Sequence, residues 1–150
     1  MDKVLQALLM TDYAAYCAYV HHGQWKPSAF HKYLCHTVQN FLEKDTGNAY
    51  DILVISCPPQ HGKSLTITET LPSWYLGRNP SKRVIEISYS EDFAKRFGRR
   101  NKQKIEEFGN EIFGIQIGDP NTNLDFELKG HRGGMISRGA LSGVTGKSAD

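Results

Sequence analysis

The sequence predicts an α/β domain built on a parallel sheet, and three observations carry that prediction. A short unbroken apolar run, Ile52-Leu53-Val54-Ile55, is rich in β-branched residues and feeds a tight turn and then a helical stretch. A second β-rich run, Arg83-Val84-Ile85-Glu86-Ile87-Ser88, follows that helix. A long helical pattern then opens behind Ser90. Strand, loop, helix, strand, helix is the grammar of a parallel sheet with crossover helices. Residues 1–45 read as a helical lead-in, and residues 46–150 as the sheet-bearing core.

Each element has its own local reason. Leu5, Leu9, Tyr13, Tyr16 and Val20 recur on a 3.6-residue period, which predicts a helix over 3–20 ended by His22-Gly23. Pro27-Ser28 opens a second helix, striped by Phe30, Leu34, Val38 and Phe41 or Leu42. Thr46-Gly47-Asn48 is a turn. The run 52–55 is too short for a helix and reads as a strand buried on both faces. Leu65 to Leu76 reads as helical, with Pro72 as its kink or end. Arg78-Asn79-Pro80-Ser81 turns the chain into the second strand. Ser90 caps the third long helix, and Glu91 and Asp92 lie in its first turn, where the helix dipole favours acids. Beyond Gly114, alternating segments at 124–128 and 133–137 flank Lys129-Gly130-His131-Arg132, which predicts a hairpin. Residues 139–150 read as a Gly- and Ser-rich loop.

Composition narrows the function. A chain of 150 residues with 39% apolar and 23% charged residues is enough for one core of ordinary size. No run approaches ~18 apolar residues, so no membrane span is expected, and Met1-Asp2-Lys3-Val4 does not open a secretory signal. Cys17, Cys35 and Cys57 are odd in number and lack metal-ligand spacing, which fits a reducing cytosol and neither a disulfide framework nor a zinc site. His21, His22, His36, His61 and His131 show no ligand spacing either. Net charge is only +2, so any nucleic-acid binding must come from local clustering. Lys95, Arg96, Arg99, Arg100, Lys102 and Lys104 supply one cluster, read either as a solvated helix face or as a contact for DNA phosphates or another subunit.

Gly62-Lys63-Ser64 carries the chemistry. It sits between an apolar β-run and a helix, the arrangement of a phosphate-binding loop. In such a loop the glycine lets backbone N–H groups approach phosphate oxygens. Lys63 would reach the β- and γ-phosphates, and the Ser64 hydroxyl would ligate Mg²⁺. The tripeptide alone arises by chance in roughly one chain in ten to twenty of this length, so its placement is what gives it weight. Cys57 stands where the full pattern wants glycine, and Pro58-Pro59 stiffens the loop instead.

Pro58-Pro59-Gln60-His61-Gly62-Lys63-Ser64 resembles the Walker A variant of the large terminase subunit of tailed bacteriophages, the motor that packages DNA into proheads. Trp25-Lys26-Pro27 with Phe30-His31 is similar to that family's adenine-recognition segment. Residues 87–94 are similar to its second strand and following helix, and residues 133–150 to the stretch before its Walker B strand. The resemblance implies a P-loop NTPase fold of the additional-strand type, with ATP and Mg²⁺ as cofactors. It places Pro59, Gln60, His61, Gly62, Lys63, Ser64, Leu65 and His31 around the nucleotide, with Ser64 on the metal and Lys63 catalytic. By the same resemblance Arg138 or Lys147 would serve as a finger on transition-state charge, in its own or a neighbouring subunit's ATP site. Gln60 occupies the place where the family often carries an arginine within the loop.

By the same resemblance the chain reads as a truncated core that ends before the Walker B strand and its paired acids, and without the nuclease domain. Residues 1–150 alone are therefore expected to bind ATP weakly with negligible turnover. The loop-bearing strand would lack its sheet neighbours and expose apolar surface. The implied partners are double-stranded DNA, a small terminase subunit, a portal protein and further copies in a ring, all in the host bacterial cytoplasm. Two other readings stay open from sequence: another P-loop enzyme such as a helicase-like ATPase, or a non-catalytic remnant that binds nucleotide or partner subunits.

Overall fold

The computed structural model describes residues 1–141 and 149. The helical front end begins with α1 (Lys3–Thr11) and α2 (Tyr13–Val20), where one helix was expected. Asp12 makes the break. Its backbone is extended, and its carboxylate accepts from Ala15 N at 3.2 Å, which caps α2. The groups freed by the break find tertiary partners: Gln39 accepts from Tyr13 N at 2.9 Å and donates to Thr11 O at 2.7 Å. Trp74 Nε1 donates to Leu9 O at 3.0 Å. The apolar stripe runs through the break unchanged, which is why periodicity could not show it. Then α3 (Ala29–Glu43) starts as expected behind Ser28, whose capping box is closed by the His31 side chain.

The run expected as a doubly buried strand is neither strand nor helix. Residues 52–57 alternate between exposed and half-buried, with Ile52 and Val54 at 76% and 83% exposure. A buried strand needs a hydrogen-bonded neighbour, and among the described residues none pairs with this run. After a π-helical turn at Ser64–Thr68, α4 runs over Leu71–Arg78. Pro72 opens α4 and does not end it; in the first turn its missing N–H costs nothing.

The remainder is the sheet and its cover. Strand β1 (Arg83–Ser88) leads to α5 (Glu91–Lys104), capped by Ser90 as predicted. A second π-helical turn, Ile105–Gly109, continues into α6 (Asn110–Phe113), which Gly114 ends at φ 72°. Strands β2 (Ile117–Asn121), β3 (Asp125–Leu128) and β4 (Gly134–Gly139) follow. The β3–β4 hairpin is the one predicted, turning at Gly130 with φ 74°; β2 had no sequence signal.

The sheet order is β1-β4-β3-β2. Only β1 and β4 are parallel, in register Ile85↔Ile136; the other two pairs are antiparallel. The expected parallel sheet is thus a mixed four-stranded one. The chain returns through a hairpin beside β1, so two of three pairings follow hairpin geometry. One core joins the helices through Leu9, Tyr13, Tyr16, Cys17, Trp74 and Ile112. The other lies against the sheet, around Leu76, Ile105, Ile115, Phe126, Leu128 and Met135. No helix of the described residues is long and apolar enough to cross a membrane.

Candidate functional site

Between the exposed run and the first π-helical turn the chain reverses sharply. Gln60 and Gly62 both adopt left-handed backbone, at φ 61° and 74°. For a residue with a side chain such as Gln60 this costs roughly 1–3 kcal/mol, so the surroundings must hold it. They do so through two histidines. His61 Nδ1 and Pro59 O are 2.7 Å apart, so the ring donates back into its own turn. His31 Nε2 lies 3.0 Å from His61 O, and a carbonyl only accepts, so Nε2 carries the proton. The other nitrogen, Nδ1, then accepts from Ser28 N at 3.2 Å and Ser28 Oγ at 2.9 Å. His31 thereby ties the cap of α3 to the top of the turn.

Gly62 is required there twice over. Its φ is left-handed, and a Cβ on it would sit 2.7 Å from His31 Nε2. Directly after it the backbone becomes helical: Lys63 has φ −57° and ψ −51°, and Thr66 N donates to Gly62 O at 3.0 Å. The first N–H groups of any helical turn lack intrahelical acceptors. Lys63 and Ser64 are exposed at this point, and among the described residues neither has a hydrogen-bond or ion-pair partner from a side chain. Leu65 is half-buried beneath them.

Below the turn the geometry is fixed by buried polar groups that sequence reasoning missed. The Tyr13 hydroxyl donates to Thr66 O, and Thr70 Oγ1 donates to Leu65 O at 2.6 Å. Asn101, fully buried on α5, donates from Nδ2 to Thr68 O at 2.8 Å and accepts from Ser73 N at 3.1 Å. Tyr13 had registered only as one position of an apolar stripe. Asn101 carried the single available signal, a polar residue on the buried side of a helix. Burial pushes the Tyr13 phenol well above the usual tyrosine range. Nearby, burial also pulls the Lys104 ammonium down to about 8, against the attraction of Glu69.

The structure therefore brings together Pro59, Gln60, His61, Gly62, Lys63, Ser64 and Leu65 on one turn, with His31 against it. Arg138 has other partners. It lies on β4, and its Nη1 donates to Leu124 O at 3.1 Å and Ser137 O at 2.9 Å. Lys147 falls outside the described residues. Among the described residues no cluster of three or more His, Cys, Asp or Glu stands ready to hold a metal ion.

A search of the curated proteins and of the solved structures returns no match. A family model described as "Terminase large subunit, T4likevirus-type, N-terminal" matches residues 54–150, which takes in the turn, the sheet and most of the chain. Phage DNA packaging is the role that this family suggests. On that match the chain belongs to the N-terminal family of T4-like virus terminase large subunits.

Proposed function

We propose that residues 58–65 grip the triphosphate of ATP, as part of the motor that drives double-stranded DNA into the prohead. One observation supports this above the others. The left-handed pair Gln60 and Gly62 delivers the chain into a helical turn whose first side chains, Lys63 and Ser64, both point to solvent unpaired. The residues fit the group. Gly62 makes room for the His31 ring and leads into a turn whose first N–H groups are left to meet phosphate oxygens, Lys63 neutralises the β- and γ-phosphates, and the Ser64 hydroxyl takes Mg²⁺. Bound Mg²⁺–ATP supplies the cleavable phosphoanhydride; the chain's own residues bind it, orient it and neutralise it.

In this reading His31 is the strut that keeps the turn in its binding shape, and it contacts the base only if its ring leaves His61 O. Arg138 or Lys147 would supply charge to a neighbouring copy's nucleotide. The intact protein forms a ring, takes its DNA from a small terminase subunit and feeds it through a portal protein in the host cytoplasm. Among the described residues no carboxylate pairs with Lys63 or Ser64. Turnover needs a group that orients the attacking water, and this reading assigns that role to none of the described residues.

Calorimetric titration with Mg²⁺–ATP tests the reading. Wild-type chain should bind and Lys63→Ala should lose at least ~10-fold in affinity, the scale of one charge-assisted phosphate contact. Equal affinity for both proteins would remove the turn from the nucleotide.

A further inference from the structure

Helix α5 and the β2–β3 turn border a polar pocket of about 180 Å³ lined by Asp92, Lys95, Arg96, Arg99 and Asn123. Three cations face one carboxylate. All three are solvent-exposed, and among the described residues none is engaged in an ion pair, so their charge is available to an outside anion.

The pocket is held in shape from both sides. Arg96 lies over the rings of Phe93 and Phe97, at 4.7 Å and 5.5 Å from their centroids, which fixes its planar fork. The far wall is equally constrained. A Cβ on Gly98 would come within 1.9 Å of Asn123 O, so only glycine lets the turn lie this close to the helix. The turn is stiffened by Thr122, whose hydroxyl contacts Asp125 N and O at 2.9 Å each, and by the Arg138 guanidinium on Leu124 O. Asn123 is thereby held beside Lys95 and Arg99 in the pocket lining.

We propose that Lys95, Arg96, Arg99 and Asn123 form a phosphodiester-binding pocket that takes the backbone of double-stranded DNA. The occupant follows from the chemistry. Arginine forks, a lysine and an amide are the donors that hold phosphate oxygens without reading bases. The pocket's exposed cations from Lys95 to Arg99 span about 6 Å of helix axis, and a DNA strand offers a charge about every 3.4 Å. One pocket therefore meets more than one phosphate of a continuous strand. The choice of DNA rests on the packaging role proposed above; the pocket's geometry does not depend on the nucleotide turn.

The test is fluorescence anisotropy of a short labelled DNA duplex against the 150-residue chain across a salt series, with Lys95→Gln/Arg99→Gln and Arg99→Lys as variants. For wild type, log affinity should fall linearly with log salt. The double variant should lower that slope by roughly 1–2 and weaken binding roughly tenfold at ~50 mM salt. Arg99→Lys should restore the slope, because counterion release counts charges. Thermal melts of all three should coincide, since the residues are exposed. ATP titration of the double variant keeps the two proposals apart: unchanged ATP binding with unchanged DNA slope overturns the pocket alone. Inorganic phosphate binding as tightly as the duplex would make this a small-anion site, and a changed self-association with an unchanged DNA slope would make it a subunit contact. Either result overturns the proposal.

Discussion

The helical core and the segment leading into the turn are neighbours in sequence and opposites in construction. In the core, Tyr13, Tyr16 and Trp74 are buried, and each polar tip has a partner: Thr66 O, Ser73 Oγ and Leu9 O. In the segment, residues 44–57 are held mainly by short-range bonds such as Thr46 and Asn48 to Asp51, while Tyr50, Ile52 and Val54 face outward. The turn at residues 58–65, the proposed nucleotide site, lies at the seam. Its lower half is clamped by the core, and its upper half hangs on His31 and on the left-handed backbone at 60 and 62, strained at Gln60 alone. Phosphate binding needs preset backbone donors but also a way in. A rigid floor under an open approach is the construction that the proposed nucleotide site requires.

The largest break in that comparison is Trp74→Ala. Trp74 is 1% exposed, packs 5.0 Å from the Tyr13 ring, carries Arg78 over its face and closes the orphan carbonyl of Leu9. Removing it opens a cavity and leaves that carbonyl without its donor. The expected loss is ~3–5 kcal/mol, read as a fall in the urea midpoint. A loss below ~1 kcal/mol would mean that the helices do not share one core with the turn.

Next in size is the charge beneath the turn. Lys104 is buried among Glu69, Arg100, Cys17 and Glu107, and its ammonium titrates at about 8 in the folded chain. The unfolded lysine titrates near 10.4. Between these values the folded chain has released a proton that the unfolded chain still holds, so stability rises with pH, and the gain is lost again as pH falls through about 8. Cys17 and Tyr13, both pushed upward by burial, act in the opposite direction at alkaline pH, but they do so in any variant that keeps them. Lys104→Met isolates the effect by difference. Its advantage over wild type should shrink by ~2–3 kcal/mol from about pH 8 to about pH 10. A pH-independent difference in urea melts would place the ammonium in water.

These results also explain which parts were legible in the sequence. Features with local causes could be read: the Ser90 cap, strand β1, the hairpin at Gly130 and the position of the Gly62-Lys63-Ser64 turn. Features set by distant partners could not. The Asp12 break costs little only because Gln39 and Trp74 satisfy its loose ends from α3 and α4. Strand β2 exists because β3 offers it an edge, in a register interrupted between Ile117 and Asn121. The clamp on the π-helical turn joins residues 13, 66, 68 and 101, separations that no window of sequence spans. In the other direction, the run 52–55 has strand-like residues without a strand partner among the described residues. Propensity describes what a segment fits, and a ladder needs the other half.

That unpartnered run supplies the smallest and most discriminating prediction. Its β-branched residues resemble core, yet Ile52 and Val54 are mostly exposed, whereas Leu53 and Ile55 are half-buried. If the outward side is solvated in solution, the double variant Ile52→Thr/Val54→Thr removes no buried contact and leaves no polar group stranded. Its stability should lie within ~0.5 kcal/mol of wild type, as for ordinary surface changes. Threonine keeps the β-branch, so backbone preference is held nearly constant and only apolar surface changes. A loss beyond ~2 kcal/mol in the monomer's urea curve would show that these side chains are covered. The contrast between a clamped floor and an open approach would then fail, because the approach would itself be core.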